Sequence, residues 1–390
     1  MLKAVDSQAL SIEIPPRDIA IGDIVIGDIA IGDIAIGNIS QCFSVDITKY
    51  SSLLYSNRYQ VTSSLMKSLF GEILVAMDLL TSQKVAIKCS SIGLLSGKKT
   101  IKGQKVFEDV RREVNILRYL KHCDLQTLSG VCNLVEELED ENYHYIITEY
   151  AEKGDLFNIL AKQPKGRFSE STAKPLFHSL VSQILVLHKN HIAHFDISPE
   201  NICIDKNENI RLIDMALSII HPWYINLNAD VSATLRTIPY KMIRNSNPNS
   251  TSCKRSFLCE RMPNRSSRPG KTLYMSPELW QGYDWDAFAC DDWALGTILY
   301  LMLTGHPAVS KSDESDAWYN ILISGRWIES LSSPNPDPGL HVCSHLSSSA
   351  LDLINKILKP QCKRLTCEQI LEHEWFHNDT LPIVKENHHI

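Results

Sequence analysis

The sequence predicts an α+β fold, with a small β-sheet in the first half and a larger, mainly helical second half. Three observations carry this. YQVTSS, GEILVAMD and KVAIKCS are short, β-branched and alternating, as half-buried strands are. AKPLFHSLVSQILVLHKN, DDWALGTILYLMLTG and SALDLINKILK repeat their apolar residues at helical spacing. Between these groups, NICIDKNENIRLID has two apolar arms around the polar turn DKNEN, the pattern of a hairpin. With 390 residues and 44% hydrophobic content, the chain can bury a sizeable core.

Taken in order, residues 1–58 read as a tail. From Asp18 to Ser40 it repeats DIAIG or DIVIG at a period of five, ending in a copy that opens with Asn38. The pattern resembles a pentapeptide repeat, but so few units leave no second coil to stack upon, so a low-complexity, extended or self-associating segment is expected. The strands begin at Tyr59. They lead into a helix over KVFEDVRREVNILRYL, where Val106, Val110, Leu117 and Leu120 share one face. Glu113 falls on that same stripe. A carboxylate on an apolar face either finds a basic partner or reaches water at the stripe's edge. Further on, closure of the predicted hairpin brings Asp196 and Asn201 toward Asp214. Residues 380–390 read as a second tail.

Charge and cysteine usage narrow the function classes. A formal net charge of -6 gives no global attraction to nucleic acid or an anionic membrane, and neither is expected as a partner. Eleven cysteines without a C-x-x-C pair suit reduced thiols, and hence a cytoplasmic or nuclear protein, better than a disulfide framework or a zinc site. The start lacks the apolar run of a signal peptide, and WALGTILYLML is too short to cross a bilayer, so a soluble chain is expected.

The polar residues left over form a set suited to phosphoryl transfer. That reaction needs cations on the phosphates, oxygen ligands for magnesium and a carboxylate beside the attacking hydroxyl. Lys88, ending the strand VAIK, is expected to reach the α- and β-phosphates of ATP, with Glu113 fixing its ammonium. Asp196 in HFDISPEN is the candidate base. Asn201 and Asp214 offer hard oxygens to Mg2+.

VAIK, RREVNIL, TEYAEKGDLF, HFDISPEN, IDMA, YMSPEL, DDWALG and KRLT with HEWF look like the successive motifs of the eukaryotic protein kinase family, serine/threonine type. Their order is far more specific than any one of them. The resemblance implies a two-lobed kinase domain over 59–379. Its N-lobe (59–151) would be a small antiparallel sheet with one key helix, and its C-lobe (152–379) mainly helical. It also implies that Ile73 and Ala86 enclose adenine, that Leu65 and Gly71 line the nucleotide, that Thr148 is the gatekeeper, and that Glu149 and Ala151 present hinge backbone groups. Glu278 and Arg364 resemble the family's structural ion pair, and Asp291 its anchor for the catalytic loop.

The sequence also departs from the family. Met66 and Ser68 stand where the phosphate loop has its first two glycines, which predicts weakened or reshaped ATP binding. Phe195 replaces an arginine that clamps activation-segment phosphate, and Ser198 replaces a lysine that neutralises the transferred group. Met215 and Ala216 follow Asp214 in place of Phe and Gly, and Lys271 occupies a common threonine position. Residues 230–271 form a basic insert. Between Arg236 and Lys271 nine Lys or Arg face only Glu260, as in a disordered loop, with Ser256, Ser266 and Ser267 as candidate modification sites. Two readings therefore stand: a kinase acting on serine or threonine of protein substrates, or a pseudokinase that binds nucleotide or scaffolds partners.

Overall fold

Strand alternation builds the first lobe. In the computed structural model, β1 (Tyr59–Lys67), β2 (Gly71–Asp78) and β3 (Gln83–Ser91) form an antiparallel meander, joined by β4 (Leu134–Glu139) and β5 (Tyr143–Glu149) in the order β1-β2-β3-β5-β4. The structure describes residues 50, 57–97, 101, 109–123, 130–220, 258–259, 268–325, 327–328 and 342–377. Val106, the 18–40 repeat, most of the basic insert with Ser256, Ser266 and Ser267, and the tail 380–390 lie outside them.

Period-two alternation gives the sheet two faces. Leu74, Ala76, Val85, Ile87, Cys89, Tyr145 and Ile147 pack into one core. Tyr50, from the segment read as tail, joins that core edge-on to Tyr143 and donates a hydrogen bond to Glu72. The intervening residues turn to the other face. There Ile73 opposes Lys88, and Ala86 and Lys88 oppose Thr148 and Ile146 across β3 and β5.

After the short α1 (Ile92–Gly97), the predicted long helix is α2 (Val110–His122). Its start is later than the periodicity from Lys105 suggested. Asp109 is extended and accepts hydrogen bonds from the N–H groups of Arg111 and Arg112, so it caps the helix instead of continuing it.

The second lobe begins with β6 (Gly154–Asp155) and α3 (Leu156–Ala161), followed by α4 (Glu170–Lys189), capped by Ser169. The strand pairs β7 (Ile192–Ala193) with β10 (Ile219–Ile220), and β8 (Ile202–Ile204) with β9 (Ile210–Leu212), frame the loop carrying Asp196. β8 and β9 are the predicted hairpin. Within the basic insert, β11 (Leu258–Cys259) pairs with β12 (Trp285–Asp286), which follows α5 (Pro277–Gln281). The reading of the whole insert as disordered is corrected at this point. Cys259 has no solvent exposure because it joins an apolar cluster with Phe195, Met275, Leu279 and Trp285.

The lobe's axis is α6 (Ala287–Thr304), buried nearly all round, with α7 (Ala317–Ser324), α8 (Ser348–Ile357) and α9 (Cys367–Leu371) completing the lobe. A Cβ on Gly296 would lie 2.6 Å from the Ile357 side chain, so glycine lets α6 and α8 approach. Arg364 holds Glu278 through two hydrogen bonds of 2.7 and 2.9 Å in the interior, the expected structural ion pair. Among the described residues, no helix is long and apolar enough to cross a membrane.

Candidate active site

The cleft face of the sheet meets the second lobe through one lysine. Lys88 Nζ donates to Glu113 Oε2 at 2.9 Å and to Asp214 Oδ1 at 3.2 Å. Glu113 thus has its basic partner. It also accepts a hydrogen bond from the Met215 backbone. Burial, opposed by Lys88, pushes its carboxyl upward, whereas Asp214 is held below its usual value because the lysine outweighs its own burial. The segment after Asp214 is tied to the same helix, since the Asp109 N–H donates to Ala216 O.

This geometry also explains how Ala216 replaces glycine. The left-handed residue of the turn is Asp214 itself (φ 61), and Ala216 is not among the positive-φ positions. Aspartate tolerates that region, and its Oδ1 accepts from the Ala216 N–H at 3.3 Å. Alanine therefore does not restrict this turn.

On the second lobe, Asn201 donates both amide hydrogens to Asp196, at 2.8 Å to its carbonyl and 2.7 Å to Oδ2. Its amide oxygen is left to act as a hard ligand. Asp291 receives the His194 and Phe195 N–H groups, each at 2.8 Å, and so anchors the loop from α6 as expected. Burial raises the Asp196 carboxyl to about 6, partly opposed by Lys271.

The remaining expected positions spread along the cleft. Ile73, Ala86 and Thr148 share the Lys88 face of the sheet, while Leu65 on β1 is 52% exposed. Glu149 donates its N–H to Asn133 O, and the Ala151 carbonyl accepts from Gly154 N–H. What these two can still offer a ligand is at most the carbonyl of the first and the N–H of the second. Gly71 has a structural reason of its own: a Cβ there would lie 2.1 Å from Cys89 O on β3. Phe70 beside it is buried with Val110 and Val114, while Met66 is 56% exposed.

Two features escaped the sequence reading. Lys271 Nζ reaches back to Ser198 Oγ at 2.6 Å and Glu200 Oε2 at 3.2 Å, which places an ammonium on the loop that lost its lysine. Each replacement was visible in the sequence, but not their contact across 73 positions. Phe195 stacks on Trp285 with ring centroids 4.8 Å apart, so an aromatic pair stands where a phosphate clamp is missing. In the lobe interior, His188, Asp292 and Cys367 bring their ligand atoms within 4.8 Å of one another, but Cys367 Sγ donates to Asp292 and His188 bonds to Asp291, a hydrogen-bond network complete without an ion.

Comparison with known proteins agrees with this geometry. The family profile described as "Protein kinase domain" matches residues 59–228 and 256–376. The chain is 27% identical over 328 residues to CBL-interacting protein kinase 1 of Oryza sativa subsp. japonica, covering 84% of this chain and 58% of the relative. It is 28% identical over 331 residues to calcium-dependent protein kinase 4 of Plasmodium falciparum (isolate 3D7), covering 83% and 50%. It is 26% identical over 330 residues to CBL-interacting serine/threonine-protein kinase 3 of Arabidopsis thaliana, covering 84% and 60%. The chain thus spans from half to three fifths of the length of these relatives. A five-stranded antiparallel lobe that holds a lysine–glutamate pair, a helical second lobe and a profile match over most of its length establish that the chain belongs to the protein kinase domain family.

Proposed function

We propose that this chain is an active protein kinase that transfers the γ-phosphate of ATP to serine or threonine hydroxyls of protein substrates. One observation carries the reading. Lys88 and Glu113 of the first lobe meet Asp214 of the second through contacts of 2.9 and 3.2 Å from the lysine, and on that second lobe Asn201 holds Asp196 at 2.7 Å. Buried charges and amides so arranged cost stability, and a packing role does not account for them. Serine or threonine as acceptor is supported by the similarity to the Arabidopsis serine/threonine-protein kinase.

In this reading Ile73, Ala86, Thr148, Leu65 and Gly71 line the nucleotide, with the Glu149 carbonyl and the Ala151 N–H toward adenine. Lys88 neutralises the α- and β-phosphates, and Glu113 keeps its ammonium in place. The donor set fits a hard divalent cation: Asn201 offers its amide oxygen, and Asp214 an oxygen not used by Lys88. Mg2+ bound there would screen phosphate charge. Asp196 orients the substrate hydroxyl and takes its proton as the oxygen bonds to the γ-phosphorus. The bond from that phosphorus to the bridging oxygen breaks, and its electron pair leaves on ADP.

A scaffold reading draws on one specific feature. The turn before β2 is closed by Ser68 N–H to Gly71 O at 2.9 Å and carries Ser68 in place of one glycine, with Met66 in place of another at the end of β1, which limits backbone approach to phosphates. Purified protein with labelled ATP and Mg2+ separates the two. Transfer to a generic protein substrate or to the chain itself, lost in Asp196→Asn, supports the enzyme. Thermal stabilisation by MgATP without transfer supports the scaffold.

A further inference from the structure

Three carboxylates, Asp196, Glu200 and Asp214, crowd the lower side of the cleft, and a triphosphate would add more negative charge beside them. Lys88 balances the upper side, where it is committed to Glu113 and Asp214. On the lower side, the ammonium bonded to the catalytic loop is that of Lys271, held by Ser198 and Glu200 at 2.6 and 3.2 Å.

We propose that Lys271 is a catalytic residue, the cation that meets the phosphoryl group in transfer, borne on the segment after the insert instead of on the catalytic loop. This rests on the kinase reading above. A lysine ammonium has three hydrogens, and two are directed to Ser198 and Glu200, so one remains for a phosphoryl oxygen. Ser198 is fully buried, and its hydroxyl takes up the space and the hydrogen bond that seat the ammonium. The preceding residue lies against the base: a Cβ on Gly270 would sit 3.7 Å from Asp196 Oδ1. Beside Asp196 lies a small pocket, lined at its mouth by Gly270, Lys271 and Tyr274 and deeper by Leu279, Cys290 and Ala294. The lysine stays charged: burial works against it, but Asp196 and Glu200 outweigh that.

The segment that carries Lys271 is itself anchored. The Tyr274 N–H closes a turn onto Lys271 O at 3.0 Å, and Ser312 Oγ donates to Met275 O at 2.7 Å. Seating this segment therefore seats the cation. Lys271 transfers no proton in the step. The hydroxyl proton still passes to Asp196, and the leaving electron pair still goes to ADP.

The test compares wild type with Lys271→Met, Lys271→Ser and the exchange Ser198→Lys with Lys271→Ser. Removing one such electrostatic contact should lower kcat about 10²-fold. The KM for ATP and the thermal midpoint should stay close to wild type, and the exchange should recover most of the rate lost in Lys271→Ser. Turnover in Lys271→Met equal to or above wild type overturns the proposal, the faster case meaning that the ammonium plugs the site. If wild type transfers no phosphate, the kinase reading falls, and binding decides the proposal instead. MgADP with aluminium fluoride, a mimic of the phosphoryl group in flight, should then bind Lys271→Met more weakly while MgADP alone binds equally; equal binding of both ligands overturns it.

Discussion

Lys88 and Lys271 stand on opposite sides of the cleft, each against two oxygen groups, and they arrive there by different routes. Lys88 is fixed by the β3 pleat, opposite Ile73 and Ile146, with Glu113 delivered from a capped helix. Lys271 is carried on a short anchored turn and fills a place vacated by Ser198, a residue 73 positions away. The first arrangement is built into a sheet and a helix. The second depends on how one segment docks on a loop. A cation on a strand is insensitive to the state of the segment after the insert, whereas a cation on that segment makes catalysis depend on its docking.

The largest expected effect breaks the first site. Lys88→Met should reduce transfer about 10³-fold, because the phosphates lose a cation in a low-dielectric cleft. It should also destabilise the fold by about 2–3 kcal/mol, as Glu113 keeps its buried carboxylate without the partner at 2.9 Å. Thermal or urea unfolding checks the second effect, and Lys88→Met with Glu113→Gln should recover part of that stability without recovering transfer. Lys271→Met, by contrast, should slow transfer with little change in unfolding, since its ammonium is more exposed and its charged partner Glu200 can reach water.

The next effect separates the two lysines by pH. The Asp196 carboxyl titrates at about 6, and as a base it must be ionised, so transfer should fall as pH drops through that value. Its folded value lies above the ordinary one. Its contribution to stability is therefore present at acid pH and lost as pH rises through about 6. Lys271 counters the shift, so Lys271→Met should move the acid limb upward. Lys88 acts on Glu113 and Asp214, so Lys88→Met should leave the limb of its residual rate in place. Rate–pH profiles of both variants check this, and an equal displacement in both would erase the distinction.

The difference in route also explains what the sequence revealed. Lys88, Glu113, Asp196, Asn201 and Asp214 were legible because each sits in a regular element or next to one, where strand alternation, helical spacing and a hairpin fix direction. Glu113 on an apolar stripe even announced its need for a cation. The contact from Lys271 to Ser198 was not legible, since neither spacing nor periodicity relates a loop to a segment beyond an insert. Ser198 read as a loss, and Lys271 as an unrelated substitution. Phe195 was legible only as a missing clamp; its stacking on Trp285 required strand β11 to close against β12. The Asp109 cap shows the limit within a helix, where apolar periodicity ran past a residue whose side chain ends the helix at Val110.

Gly71 offers the smallest and most selective perturbation. Its place beside the phosphate loop suggests a residue kept for nucleotide approach, but the sheet needs it first: a Cβ would meet Cys89 O at 2.1 Å, one residue after Lys88. Gly71→Ala should therefore push β2 from β3 and cost about 1–3 kcal/mol, the usual range for overpacking. The displaced strand is the one that aims Lys88, so weaker binding of MgATP should accompany the loss of stability. Lys271 lies in the other lobe and has no part in that sheet, so the acid limb set by Asp196 and Lys271 should stay where it is. A calorimetric titration with MgATP and a rate–pH profile on the same variant check both halves. Unchanged stability would mean that β3 gives way without strain, and a displaced acid limb would mean that the two lysines are coupled across the cleft.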